Sequence, residues 1–265
     1  MNFRDLKKQS KTGPLLPEGF EPECWAEKRK EEMVKLLYAG MDPACRELAG
    51  RLEMCGYDEP CISPACPECM RRKRIWFIEQ FMRLTNDKNW VFVTVIFYPD
   101  VMDTEDLTTL DPRKFFNRIR KQFEKCDIKG RALGGFEMDF HQESKKWMPH
   151  VHFVLECTDE KKLDKFKGLY RKSKYLNTRS GVVNRPVLIK PLGNRLNLSG
   201  YLVKHEWSRV EHYVFNGKRI SKKKFLPDVL RRESLITRDW LGLAKMMFLY
   251  RLRRCEGKLK KNSTT

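Results

Sequence analysis

The chain lacks any apolar run approaching the roughly 20 residues that a helix needs to cross a bilayer. Its first twenty residues, MNFRDLKKQSKTGPLLPEGF, hold no apolar signal core. A membrane-spanning and a secretory reading are set aside on these grounds, and a soluble cytoplasmic protein is the expectation. No internal repeat or low-complexity segment is present, and no Walker motif, so the chain has no phosphate-binding loop of a nucleotide-driven motor. Acidic residues are in the minority, with 35 Asp plus Glu against 54 Lys plus Arg and a formal charge of +19. Histidine is scarce, at five in 265 residues.

The positive charge is clustered in Arg71-Arg72-Lys73-Arg74, in Lys218-Arg219 with Lys222-Lys223-Lys224, and between Arg251 and Lys261. Such runs suit a polyanion, nucleic acid above all. No basic amphipathic helix with a long apolar face supports a membrane surface instead.

Nine cysteines are an odd number, and Cys55, Cys61, Cys66 and Cys69 fall within fifteen residues. In a reducing compartment such crowding points to metal rather than to disulfides. The Cys66-Pro-Glu-Cys69 pair forms the tight turn that lets two thiolates grip one tetrahedral ion, and four soft thiolates favour zinc. Cys24 and Cys45 lack such spacing and are expected in the core. The cluster runs directly into Arg71, Arg72, Lys73 and Arg74, which makes a basic helix braced against DNA the expectation.

Residues 1 to about 20 read as a mobile lead-in. Helical spacing follows over 23–38, 43–54 and the segment MRRKRIWFIEQFMRLTND. WVFVTVIFYP is a β-run, 111–126 is helical, and ALGGFEMDFH and PHVHFVLE form a hairpin. Helix over 159–171, a short strand in VNRPVLIK, helix in LNLSGYLVKHEW, a hairpin turning at Asn216-Gly217 and a last helix over 238–253 complete the pattern. This order predicts an α+β fold: an antiparallel sheet with helices on one face and the other face free for a ligand, preceded by a helical and zinc-binding region. The divisions are 1–54 for the lead-in and first helices, 55–88 for the knot and basic helix, 89–208 for the sheet domain and 209–265 for a basic extension.

The stretch WMPHVHFVL carries two of the five histidines. In a strand, His150 and His152 stand on one face while Val151 and Phe153 take the other. On the preceding strand Glu137, Asp139 and His141 alternate with Phe136, Met138 and Phe140, so the polar faces of the hairpin coincide. A carboxylate with two imidazoles is a suitable seat for Mg²⁺ or Mn²⁺ with positions open to phosphate oxygens. Glu137 is favoured, Asp139 is the alternative, and His141 reads as a strand-end residue. Downstream, a helix through SGYLVKHEW places Tyr201, Lys204 and His205 on one face.

His150-Val151-His152 resembles the His-hydrophobic-His motif of the HUH endonucleases, and Tyr201 to Lys204 resembles their Tyr-x-x-Lys motif. FVTVIFYP looks like the apolar strand that precedes them, and the three occur in the family's order over residues 90–207. The cysteine cluster is similar to one found before the catalytic domain in some plasmid rolling-circle replication initiators and in related transposases. The resemblance implies an HUH or RRM-like palm and a metal-dependent nuclease specific for single-stranded DNA. Tyr201 would attack a backbone phosphate, keep the 5′ end as a phosphotyrosine ester and release a 3′ hydroxyl. Lys204 would place the phosphate or the metal. One tyrosine fits the motif, Tyr213 lying twelve residues on, and Trp207 stands where a second lysine would follow. A replication initiator of a plasmid or phage in a prokaryotic host, acting on an origin or hairpin with host helicase and polymerase, is the leading expectation. A transposase or relaxase on the same domain, and a zinc-containing nucleic-acid-binding regulator, are its competitors.

Overall fold

Trp90–Ile96 (β1), Ala132–His141 (β2) and Lys146–Glu156 (β3), buried almost without a break because both their faces are covered, build the centre of a seven-stranded sheet. The computed structural model describes residues 16–86, 89–171, 185–204, 206–216 and 218–262. Residues 1–15 of the lead-in, and His205, lie outside the described residues. Val187–Pro191 (β4), Ser208–Phe215 (β5), Lys218–Lys224 (β6) and Met247–Tyr250 (β7) complete the sheet, and Leu252–Cys255 (β8) pairs with Lys258–Lys261 (β9) in a separate ribbon. The order is β4-β1-β3-β2-β5-β6. Pairing is antiparallel except between β2 and β5, which run parallel over Asp139–His141 and Ser208–Val210. β7 pairs with the other half of β2, over Ala132–Gly135. The boundary expected at 208 falls on the first residue of β5, so the sheet continues through β5, β6 and β7.

Three helices precede the sheet: α1 (Glu23–Tyr38), α2 (Pro43–Glu53) and α3 (Pro67–Leu84). α2 starts where Asp42 accepts the Ala44 amide and Pro43 supplies a fixed φ at the first helical position. α4 (Pro112–Lys125) starts the same way, with Asp111 accepting from Arg113. α5 (Glu160–Tyr170), α6 (Arg195–Tyr201) and α7 (Asp228–Lys245) follow. Among the described residues no helix is long and apolar enough to cross a membrane.

One sheet face carries Val93, Val95, Phe136, Met138, Val151 and Phe153, and packs against Phe115, Ile119 and Phe123 of α4 and Phe166 of α5. Each fully buried Val, Ile, Met or Phe of this kind contributes about 1.5–3 kcal/mol over an exposed one. The other face, expected to be free, is divided. Its apolar end, with Phe92, Leu133 and Val154, is covered by Trp76, Phe77 and Phe81 of α3 and by Leu252 and Leu259 of the β8–β9 ribbon. Its polar end carries Thr94, Glu137, His150 and His152.

Two expected helices end early. α6 stops at Tyr201 rather than running to Trp207, because Leu202 turns inward to full burial and Trp207 joins the core beside Trp147. The expected final helix over 238–253 is replaced by α7, which contains Gly242 at φ 70°, and by β7. The apolar spacing of MMFLY suits a helix, but the open edge of β2 offers backbone partners that outweigh local preference.

Candidate active site

His150 and His152 leave the same face of β3 with ring centroids 4.7 Å apart. Sheet register brings their companions. Glu137 is the cross-strand partner of His150, and Thr94 of β1 is the partner of His152. Glu137 Oε2 lies 3.3 Å from His150 Nε2 and 3.7 Å from His152 Nε2. One ligand atom from each of Glu137, His150 and His152 lies within 4.8 Å of the others, and all three residues are buried. The three can hold one metal ion.

The surroundings fit a cation. His152 Nε2 and Glu137 Oε1 are buried without a hydrogen-bond partner among the described residues, which an ion between them would satisfy. Thr94 Oγ1 lies 2.8 Å from His152 Nδ1. The tautomer that donates from Nδ1 to Thr94 leaves Nε2 with its lone pair, the form a metal requires. Burial pushes the His152 imidazole well below its usual range, so it is neutral at pH 7. Burial also acts to raise Glu137, but the Lys204 ammonium and the hydrogen bond with His150 outweigh it and hold the carboxyl below the ordinary carboxylate range.

Glu137 rather than Asp139 faces the pair because it sits opposite His150 in the hairpin, whereas Asp139 is opposite Met148. Asp139 receives Lys223 Nζ at 2.6 Å and lies 3.8 Å from His150 Nε2. His141 is the last residue of β2, with its ring 5.7 Å from that of His212. Burial pushes His141 down to about 4. Thr94 and Lys223 are the site neighbours that sequence reasoning missed. Thr94 is the single hydroxyl in an apolar strand, and that break in pattern was the available signal.

Tyr201 ends α6 with 41 % of its surface exposed and its ring centroid 5.1 Å from that of His152. Lys204 is off the helix, yet its Nζ lies 2.6 Å from Glu137 Oε2 and 4.0 Å from the Tyr201 ring centroid. The expected grouping of Tyr201 with Lys204 is therefore present, by a turn and not by one helical face. Partial desolvation, and then the charge of Glu137, raise the Tyr201 phenol above its usual pKa. Tyr201, His150, His152, Asp139 and His212 line one cleft of about 1220 Å³.

The cysteine cluster forms a second group of ligands. Sγ atoms of Cys55 and Cys69 are 3.6 Å apart, those of Cys61 and Cys69 3.7 Å, and those of Cys55 and Cys66 3.6 Å. A tetrahedral ion with arms of about 2.3 Å gives edges of roughly 3.8 Å, so the four sulfurs already stand at metal-ligand spacing. Lys30 from α1 holds the knot by donating to the Cys55 carbonyl at 2.8 Å and pairing with Glu68 at 2.7 Å. Cys45 is buried as expected, but Cys24 is exposed, on the outer side of α1.

The basic run after the knot does not face outward as one patch. Lys73 is 2 % exposed, donates to the Leu243 carbonyl at 3.3 Å and has its pKa pushed well down by burial, which removes it from any DNA-contacting role. Arg72 donates to the Gly56 carbonyl and stacks on Tyr57. Arg71 and Arg74 hold Phe20 and Glu21. A helix shows about a third of its residues to each side, so four consecutive cations cannot share one surface.

Comparison of the chain with protein-family models, with curated proteins and with solved structures gives no match.

Proposed function

We propose that the chain is a metal-dependent endonuclease and strand-transferase for single-stranded DNA, with Tyr201 as nucleophile. The observation that carries this reading is a buried Glu137-His150-His152 group whose two histidines line one cleft with an exposed tyrosine, 5.1 Å from His152. Neither half accounts for the other structurally. A surface tyrosine needs no buried imidazoles beside it, and a structural ion needs no cleft.

The resemblance to HUH endonucleases in His150-Val151-His152 and Tyr201 to Lys204 supports the same chemistry. Glu137, His150 and His152 would hold Mg²⁺ or Mn²⁺, which supplies Lewis acidity to a phosphate oxygen. The phenol of Tyr201 loses its proton as its oxygen bonds to phosphorus, the P–O3′ bond breaks, and the released 3′ oxygen takes up a proton. The products are a 5′ phosphotyrosine ester and a 3′ hydroxyl, and the reverse step rejoins the strand. Lys223 favours the phenolate and so opposes the upward shift that desolvation and Glu137 impose, and Lys204 Nζ stands 4.0 Å from the Tyr201 ring centroid. Cys55, Cys61, Cys66 and Cys69 would bind Zn²⁺ as a structural ion.

In a cell this chemistry fits initiation of rolling-circle replication of a plasmid or phage, with a host helicase and polymerase extending the 3′ hydroxyl. A transposase or relaxase would use the same site, and the DNA around the gene separates them through a nick-site hairpin or terminal repeats. Single-stranded oligonucleotides incubated with protein and Mn²⁺ test the chemistry. A covalent adduct that survives denaturation and maps to Tyr201 is expected, and is lost in Tyr201→Phe, His150→Ala and His152→Ala. No adduct on any such substrate would leave a non-catalytic, zinc-containing nucleic-acid-binding regulator as the better reading.

A further inference from the structure

Tyr201 stands between two grooves. Besides the cleft that holds the histidines, a second groove of about 850 Å³ is lined by Arg74, Lys204, Arg209, Lys224 and Phe225, and Asn197, Tyr201 and Lys223 border both. The second groove joins cations with aromatic surface, since Phe225 is 72 % exposed at the end of the lysine-rich β6. That combination suits a strand of nucleotides, phosphates on the cations and bases on the rings.

One wall of this groove is the segment Pro17 to Phe20, which belongs to the stretch expected to be mobile. It is docked on α3. The Phe20 ring lies beneath two guanidinium groups, 4.7 Å from Arg74 and 5.8 Å from Arg71. The Glu21 carboxylate pairs with Arg74 Nη1 at 2.6 Å and Arg29 Nη1 at 3.3 Å, and its backbone carbonyl accepts from Arg71 Nε at 3.0 Å. Arg74 Nε is buried without a partner among the described residues, so this guanidinium keeps a donor that the segment does not use. An aromatic ring under an arginine and a carboxylate on one of its nitrogens resemble the contacts that arginine makes with a base and a phosphate.

We propose that residues 17–21 form a self-docked strap at the wall of the second groove that occupies the nucleotide-binding positions of Arg71 and Arg74, Glu21 in place of a phosphate and Phe20 in place of a base. Single-stranded DNA crossing Tyr201 into this groove displaces the strap and takes over Arg71 and Arg74. The strap thereby screens non-specific strands, because a ligand must out-compete an internal one before it reaches the groove. The proposal rests on the reading of the chain as a single-strand DNA enzyme.

The test is fluorescence anisotropy of a labelled oligothymidylate with full-length protein, without divalent metal, for wild type, Glu21→Gln, Phe20→Ala and the charge control Glu31→Gln. Glu31 is exposed on α1, so its substitution changes the net charge equally and leaves the strap alone. Glu21→Gln and Phe20→Ala should tighten binding roughly fivefold beyond Glu31→Gln, the scale of one relieved ion pair. Affinities equal to the control, or weaker, would overturn the strap, since the segment would then be inert or part of the binding wall. Tyrosine-linked cleavage with unchanged affinities overturns the strap alone. Failure of wild type and every variant to bind overturns both the strap and the reading beneath it.

Discussion

The Leu202 carbonyl oxygen lies 2.7 Å from the point where a side chain on Gly135 would begin. Only glycine at this point of β2 lets the end of α6 settle on the sheet, and Tyr201 is the residue before Leu202. Gly135→Ala should push that helix end outward. Because a displacement of about 1 Å at a reacting group costs on the order of 10²-fold in rate, strand cleavage should fall by about that factor while Mn²⁺ affinity stays near wild type. Rate and titration calorimetry on the same preparation check this, and equal losses in both would mean that the whole sheet had shifted.

Thr94→Val removes the hydroxyl that orients His152 and keeps the shape of the side chain. Lost partners of metal-bound histidines lower affinity about 10–100-fold. Mn²⁺ binding followed by electron paramagnetic resonance should weaken by that factor, with little change in melting temperature. An unchanged affinity would show that His152 is held by its ring contacts with Phe92 and Tyr201 instead.

Elemental analysis of protein purified without chelator should find one tightly held zinc per chain, lost in Cys69→Ser. Cys55, Cys66 and Cys69 belong to the same buried cluster as Leu37, Leu48 and Leu52 of α1 and α2. Chelation should therefore melt these helices, read as a drop in helical circular dichroism. Protein that is free of zinc yet retains its full helical signal would remove the metal from the account of this region.

His141 makes stability depend on pH. Its folded-state pKa of about 4 lies below the ordinary histidine value, so the unfolded chain binds the extra proton between about pH 6.5 and 4. Stability from this group is present above pH 6.5 and is lost as pH falls through that window. Chemical denaturation should show His141→Gln losing less stability than wild type between pH 7 and 4.5, and parallel losses would contradict the assignment.

The hairpin part of the site was legible because it is local. A strand period of two puts His150 and His152 together, and a four-residue connection sets Glu137 opposite His150. Thr94 could not be placed that way, since its partner depends on β1 meeting β3 across more than fifty residues of chain. Tyr201 and Lys204 were found as a motif but with the wrong geometry, because burial of Leu202 ends the helix that their spacing suggests. Met247–Tyr250 and Lys73 went astray for a related reason. Each follows its tertiary surroundings, an open strand edge in one case and the interior behind α3 in the other, and neither is visible in a window of neighbouring residues.

The outer edge of β2 is closed by two strands that arrive late, β5 from residue 208 onward and β7 at 247–250. A chain emerging from the ribosome presents Glu137, His150 and His152 as an adjacent hairpin long before either strand exists. Until about residue 250 has emerged, part of that backbone edge has no ladder to join, and an unpaired edge invites pairing with other chains. The nascent protein would thus carry its cation ligands early and the completed frame around them only once residue 250 has emerged, so a chain stalled between those points would present an unpaired, aggregation-prone edge.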